Sequence, residues 1–128
     1  MIDLSTGIVD PVSAPPLAPV EQAIDVTHLA RMTLGDASLE REVLQLYDRQ
    51  AEMLLARMRE AIPGAAAAHA HTLKGSSSGI GAWKVARAAE AVEMAASSGT
   101  ADVAMSVARL GTMVDEARTV IAELLRAH

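Results

Sequence analysis

The segment Ala68-His69-Ala70-His71-Thr72-Leu73-Lys74-Gly75-Ser76-Ser77-Ser78-Gly79-Ile80-Gly81 concentrates the side chains that could do chemistry. In a helix, about 100° separates successive residues, so His71, Lys74, Gly75 and Ser78 share one face at i, i+3, i+4 and i+7. Ala66, Ala70, Leu73 and Ser77 fall on the opposite face and point inward. Solvent is thus offered an imidazole, an ammonium and a bare glycine. Such a face is not built for stability, because a mid-helix glycine costs about 1 kcal/mol relative to alanine and serines compete for the backbone. Something has to approach the chain closely at Gly75. Phosphoryl exchange through the imidazole fits this pattern: an unperturbed histidine, with a pKa of about 6.5, is mostly neutral at pH 7 and can attack an acyl phosphate carried by another protein. Lys74, one turn on, supplies positive charge for the phosphoryl oxygens. The metal and the carboxylates of such a transfer belong to the partner.

Positioning these groups requires helices. Four of the five prolines (Pro11, Pro15, Pro16 and Pro19) lie near the start, so residues 1–22 read as an extended tail outside the fold. Asp25 can cap a short helix to about Leu34, and Gly35-Asp36 then break and recap the chain. A longer helix is expected over Ala37–Ala61, with Leu39, Val43, Leu46, Tyr47, Leu54 and Met58 as its apolar stripe and Pro63-Gly64 as its stop. The helix carrying His71 starts near Ala65. A fourth covers Ala82–Ser97 with Val85, Ala89, Val92 and Ala96 on one face, and Ser98-Gly99 ends it. In the last, Val103, Val107, Leu110, Val114, Ala117, Ile121 and Leu124 keep the steps of helices packed nearly antiparallel. An all-α, up-down-up-down four-helix bundle with a short extra N-terminal helix closes this pattern.

Composition excludes several functions. With 11 Lys+Arg against 16 Asp+Glu, the net charge of −5 is wrong for a nucleic-acid surface. The chain has no cysteine and no apolar run long enough to span a membrane, and its start lacks a basic signal-peptide region, so a cytoplasmic location is expected. Aromatics make up only 2%, leaving Ala, Leu, Val, Ile and Met to build the core, with most methionines read as fillers. His69 and His71 point about 200° apart on a helix and no Cys or carboxylate completes a ligand set, so no metal site is expected. Gly79-x-Gly81 lacks the spacing of a phosphate loop and follows no strand. His28 and His128 read as bystanders.

With those elements in place, His71-Thr72-Leu73-Lys74-Gly75-Ser76-Ser77 followed by Ile80-Gly81 closely resembles the signature of the histidine-containing phosphotransfer (HPt) domain of bacterial and fungal phosphorelays. The resemblance runs from about Ile24 to Leu125 and includes Leu34-Gly35-Asp36, the apolar run ending in Tyr47, and Val92-Glu93. It implies a bundle whose exposed His71 takes phosphate from one receiver domain and gives it to another, supported by Lys74 and Gly75. Ser78 on the same face, and Met32 on the first helix, are assigned to partner binding. In the related phosphoacceptor domain of the chemotaxis kinase, a glutamate 22 residues after the acceptor orients the imidazole, and the residue at that offset here is Glu93. His69 and the lack of phenylalanine depart from the family pattern without breaking it.

The partners implied are response regulator receiver domains and a hybrid histidine kinase. The chain would be a free-standing, monomeric phosphoryl carrier with no cofactor of its own, no ATPase and no autokinase activity, the Mg²⁺ sitting on the receiver. A helical adaptor that binds a receiver or a partner helix without being phosphorylated is the alternative, and the intact His71, Lys74 and Gly75 speak against it. A kinase dimerisation domain is disfavoured because Thr72 and Gly75 stand where such kinases carry an acidic residue and later a proline.

Overall fold

The computed structural model describes residues 21–99 and 102–127, so the expected tail lies outside the described residues except for Glu21 and Gln22. Five helices occupy the described chain: α1 (Val26–Met32), α2 (Ala37–Glu60), α3 (Pro63–Ile80), α4 (Trp83–Ser97) and α5 (Val103–Ala127). There is no strand among the described residues. The first two helices begin as their capping residues require. Asp25 accepts from the His28 amide and Asp36 from the Leu39 amide, each at 3.0 Å, satisfying N–H groups that have no partner inside a helix.

The start of α3 differs from expectation. Pro63 and Gly64 form its first turn rather than a stop before Ala65. Proline at the first helical position loses no hydrogen bond and already has the helical φ, so it starts the helix that follows as readily as it ends the one before. Only Ala61 and Ile62 separate α2 from α3, and only Gly81 and Ala82 separate α3 from α4. Connections this short force antiparallel neighbours. The helices α2 to α5 close an up-down-up-down bundle in which α2 packs on α3 and α5, and α4 packs on α3 and α5, while α1 lies against α3.

The core is built from small and branched aliphatic residues. Ala66, Ala70, Leu73 and Ser77 of α3 are fully buried, as their common face predicts. The α5 stripe is buried from Val107 to Ile121, with Val103 and Leu124 half-buried at its ends. On α4, Val85, Ala89 and Val92 are buried and Ala96 is half-buried. Two corrections concern α2 and the methionines. Leu39 and Leu46 are exposed, whereas Leu44, Ala51 and Leu55 join Tyr47, Leu54 and Met58 inside. Two overlapping series of threes and fours run through this helix, and the one through Leu39, Val43 and Leu46 breaks at Gln50. Met58 is a buried core filler and Met113 packs half-buried against the core, whereas Met53, Met94 and Met105 are exposed; Met32, read as a partner contact, is exposed as well. Leu, Val and Ala already fill the inward positions.

One polar pair crosses this core. The Tyr47 and Ser77 hydroxyls meet at 2.7 Å, joining α2 to α3, and burial pushes the Tyr47 phenol up to about 12. Each hydroxyl thereby satisfies the other where water is excluded.

Candidate functional site

His71 stands in the middle of α3 with its side chain 71% exposed, held from beneath by the bundle rather than enclosed by it. Its Nδ1 lies 2.9 Å from Glu93 Oε2, across the α3–α4 seam. A carboxylate only accepts, so this bond needs the proton on Nδ1, which in the neutral ring leaves the lone pair on Nε2. Lys74 Nζ is 2.9 Å from the other oxygen, Glu93 Oε1. The two cationic or proton-bearing groups of α3 therefore converge on one carboxylate of α4. The Lys74 hydrogen bond, with His71 contributing less, holds Glu93 below the ordinary carboxylate range, and the same bond holds Lys74 above the ordinary lysine value.

The placement of the other expected residues is mixed. Gly75 is exposed, and a Cβ built there would meet nothing within 4 Å, so its backbone is open to an approaching molecule. Ser78 is half-buried one turn further along, beside a shallow groove of about 420 Å³ that Lys74, Gly75, Arg87 and Glu90 also line. Met32 is 50% exposed and lies over the C-terminal turn of α3, not over His71: its Cε would be 3.3 Å from a Cβ on Gly79. No group of three His, Asp or Glu suited to a metal ion occurs among the described residues, and none of their helices is long and apolar enough to cross a membrane.

Sequence reading missed a set of contacts behind α1. His28 is not a bystander. Its Nε2 lies 3.1 Å from the Gly79 carbonyl, and its ring meets Trp83 edge-on with centroids 4.9 Å apart. Trp83 Nε1 donates to Asp25 Oδ2 at 3.0 Å. The glycines that mimic a phosphate loop serve this packing. Gly81 ends α3 with φ +83°, and a Cβ there would lie 2.9 Å from the Asp25 carbonyl oxygen. The one signal in the sequence was a lone tryptophan, whose N–H needs an acceptor when covered.

The fold agrees with the comparisons. The family model of the Hpt domain matches residues 42–125. The chain belongs to the Hpt domain family, whose members are phosphocarriers. Its structure is similar to that of histidine-containing phosphotransfer protein B (HptB) from Pseudomonas aeruginosa PAO1, with a TM-score of 0.77 and 19% sequence identity over 83% of this chain and 96% of that one. No curated protein matches. The helix α1 lies outside the family match, which begins within α2.

Proposed function

We propose that this protein relays a phosphoryl group between receiver-domain aspartates, with His71 as the acceptor. The observation that carries the reading is the His71 Nδ1 to Glu93 Oε2 hydrogen bond on a side chain otherwise open to solvent. In the forward step the Nε2 lone pair attacks the phosphorus of an aspartyl phosphate. The new N–P bond forms as the P–O bond to the aspartate breaks and the carboxylate leaves. Positive charge then develops on the imidazole, whose Nδ1 proton stays held by Glu93. Donation to the next receiver reverses these steps.

Lys74 uses one of its three donors on Glu93 and keeps two for the phosphoryl oxygens. Gly75 lets the partner's loops reach the imidazole without collision. Mg²⁺ and the catalytic carboxylates come with the receiver, so the carrier needs no cofactor and hydrolyses no ATP. A receiver of a hybrid histidine kinase on one side and a response regulator on the other are the expected partners. The α5 stripe is consumed inside the bundle, which supports a monomer, and a cytoplasmic site of action suits such partners.

The deciding experiment incubates the purified protein with a phosphorylated receiver domain and scores acid-labile, base-stable phosphate. Wild type should be labelled and His71→Gln should not, with unchanged helicity in both. Equal labelling of the two, or loss of helicity in the variant, overturns the assignment. Labelling of neither by several receivers favours the adaptor.

A further inference from the structure

We propose that Asp25, His28 and Trp83 form a clamp that sets the position of α1, and through Met32 the affinity for a receiver domain. The proposal rests on the phosphotransfer reading and adds positioning residues that touch neither phosphate nor acceptor. Its starting point is size. A helix of seven residues does not hold itself together, because nucleation outweighs what so few hydrogen bonds return. Its place must be fixed by what it touches.

Those contacts converge on Asp25. One carboxylate oxygen caps α1 through the His28 amide at 3.0 Å, and the other accepts from Trp83 Nε1 at 3.0 Å. The Asp25 amide donates to the Gly81 carbonyl at 2.9 Å. His28, one turn into α1, reaches back to the Gly79 carbonyl and packs its ring on Trp83. Both ends of the Gly79-Ile80-Gly81 turn are thereby tied to α1. Two glycines make this possible, since a side chain at Gly81 would strike Asp25 and one at Gly79 would crowd Met32. The outcome is a half-exposed methionine seated at the end of the helix face that carries His71, Lys74, Gly75 and Ser78. A thioether there is an adaptable apolar contact for a docking protein.

The test separates docking from chemistry by using two phosphoryl donors. Phosphoramidate reaches His71 without docking, whereas a phosphorylated receiver must dock. In Asp25→Ala, which removes the cap and the tryptophan acceptor together, the half-saturating receiver concentration should rise about tenfold. The rate at saturating receiver and the rate with phosphoramidate should stay within about twofold of wild type. Trp83→Phe keeps an aromatic ring but loses the indole N–H and its hydrogen bond to Asp25, and should raise the half-saturating concentration about threefold. Met32→Ala should weaken docking in the wild type and have much less effect in the Asp25→Ala background, a non-additivity that a purely structural role would not produce. Half-saturation unchanged in both clamp variants overturns the proposal, as does additivity with Met32→Ala or a parallel loss of phosphoramidate labelling. A wild type labelled by phosphoramidate but by no receiver overturns the phosphotransfer reading, and this proposal with it.

Discussion

Two opposite seams of the bundle are each crossed by a cation and a carboxylate, and they behave differently. Between α2 and α5, Arg118 donates Nε to Asp48 Oδ1 at 2.8 Å and Nη2 to Oδ2 at 3.4 Å, with Nη1 3.4 Å from Glu52. The guanidinium is matched on two edges, and the Asp48 hydrogen bond raises it above its usual value. This is a strap. Between α3 and α4, the single carboxylate of Glu93 is shared by Lys74 and by one nitrogen of His71, and the other nitrogen has solvent before it. On the proposed function, the difference is what would turn an interhelical ion pair into a reactive site. One partner must be a group whose second edge stays free and whose charge changes during the reaction.

Four ways of disturbing the two seams should sharpen this contrast. The largest effect is steric. Gly75→Glu should cut transfer from a receiver by at least about a hundredfold, since a small displacement of reacting groups costs that much, while helicity is retained. Undiminished transfer in a stopped-flow or gel assay would refute the close-approach argument. Next, Glu93→Gln keeps the shape but removes the charge that faces the imidazolium, and should slow transfer about tenfold, which corresponds to roughly 1.4 kcal/mol. An unchanged rate would leave Glu93 as a strap only. On the other seam, Arg118→Ala should lower stability by about 1 kcal/mol and Tm by about 4 °C without touching transfer. A transfer defect there would mean the seams are coupled.

The smallest effect is set by pH. Glu93 is depressed in the folded protein, chiefly by Lys74, so its contribution is complete above the ordinary carboxylate pKa and is lost as pH falls through the depressed value. The difference in denaturation midpoint between wild type and Glu93→Gln should therefore shrink in acid. A difference that is the same at pH 3 and pH 7 would show that the charge of Glu93 contributes nothing to the α3–α4 seam.

The legible parts of this protein are those written in one helix. His71, Lys74, Gly75 and Ser78 could be placed on one face, and Ala66, Ala70, Leu73 and Ser77 on the other, because a helix has a fixed period. The α5 stripe was legible for the same reason. The second helix was read wrongly at Leu39 and Leu46 because it carries two candidate stripes and only its neighbours choose between them. Met53, Met94 and Met105 were misread because composition counts apolar residues without saying which are surplus to the core.

Beyond the period, the chain by itself determined the breaks at Gly35 and at Ser98-Gly99 and the caps at Asp25 and Asp36. These depend on contacts within a few residues, where the geometry is nearly fixed. The family resemblance pointed to Glu93 beside His71, but tertiary structure alone decided that Lys74 shares that carboxylate, that Tyr47 meets Ser77, and that Asp25, His28 and Trp83 lock α1 over the turn at Gly79 to Gly81. Tyr47 and Ser77 lie 30 residues apart and Asp25 and Trp83 lie 58 apart, and periodicity cannot foresee which side chains packed helices bring together over such distances.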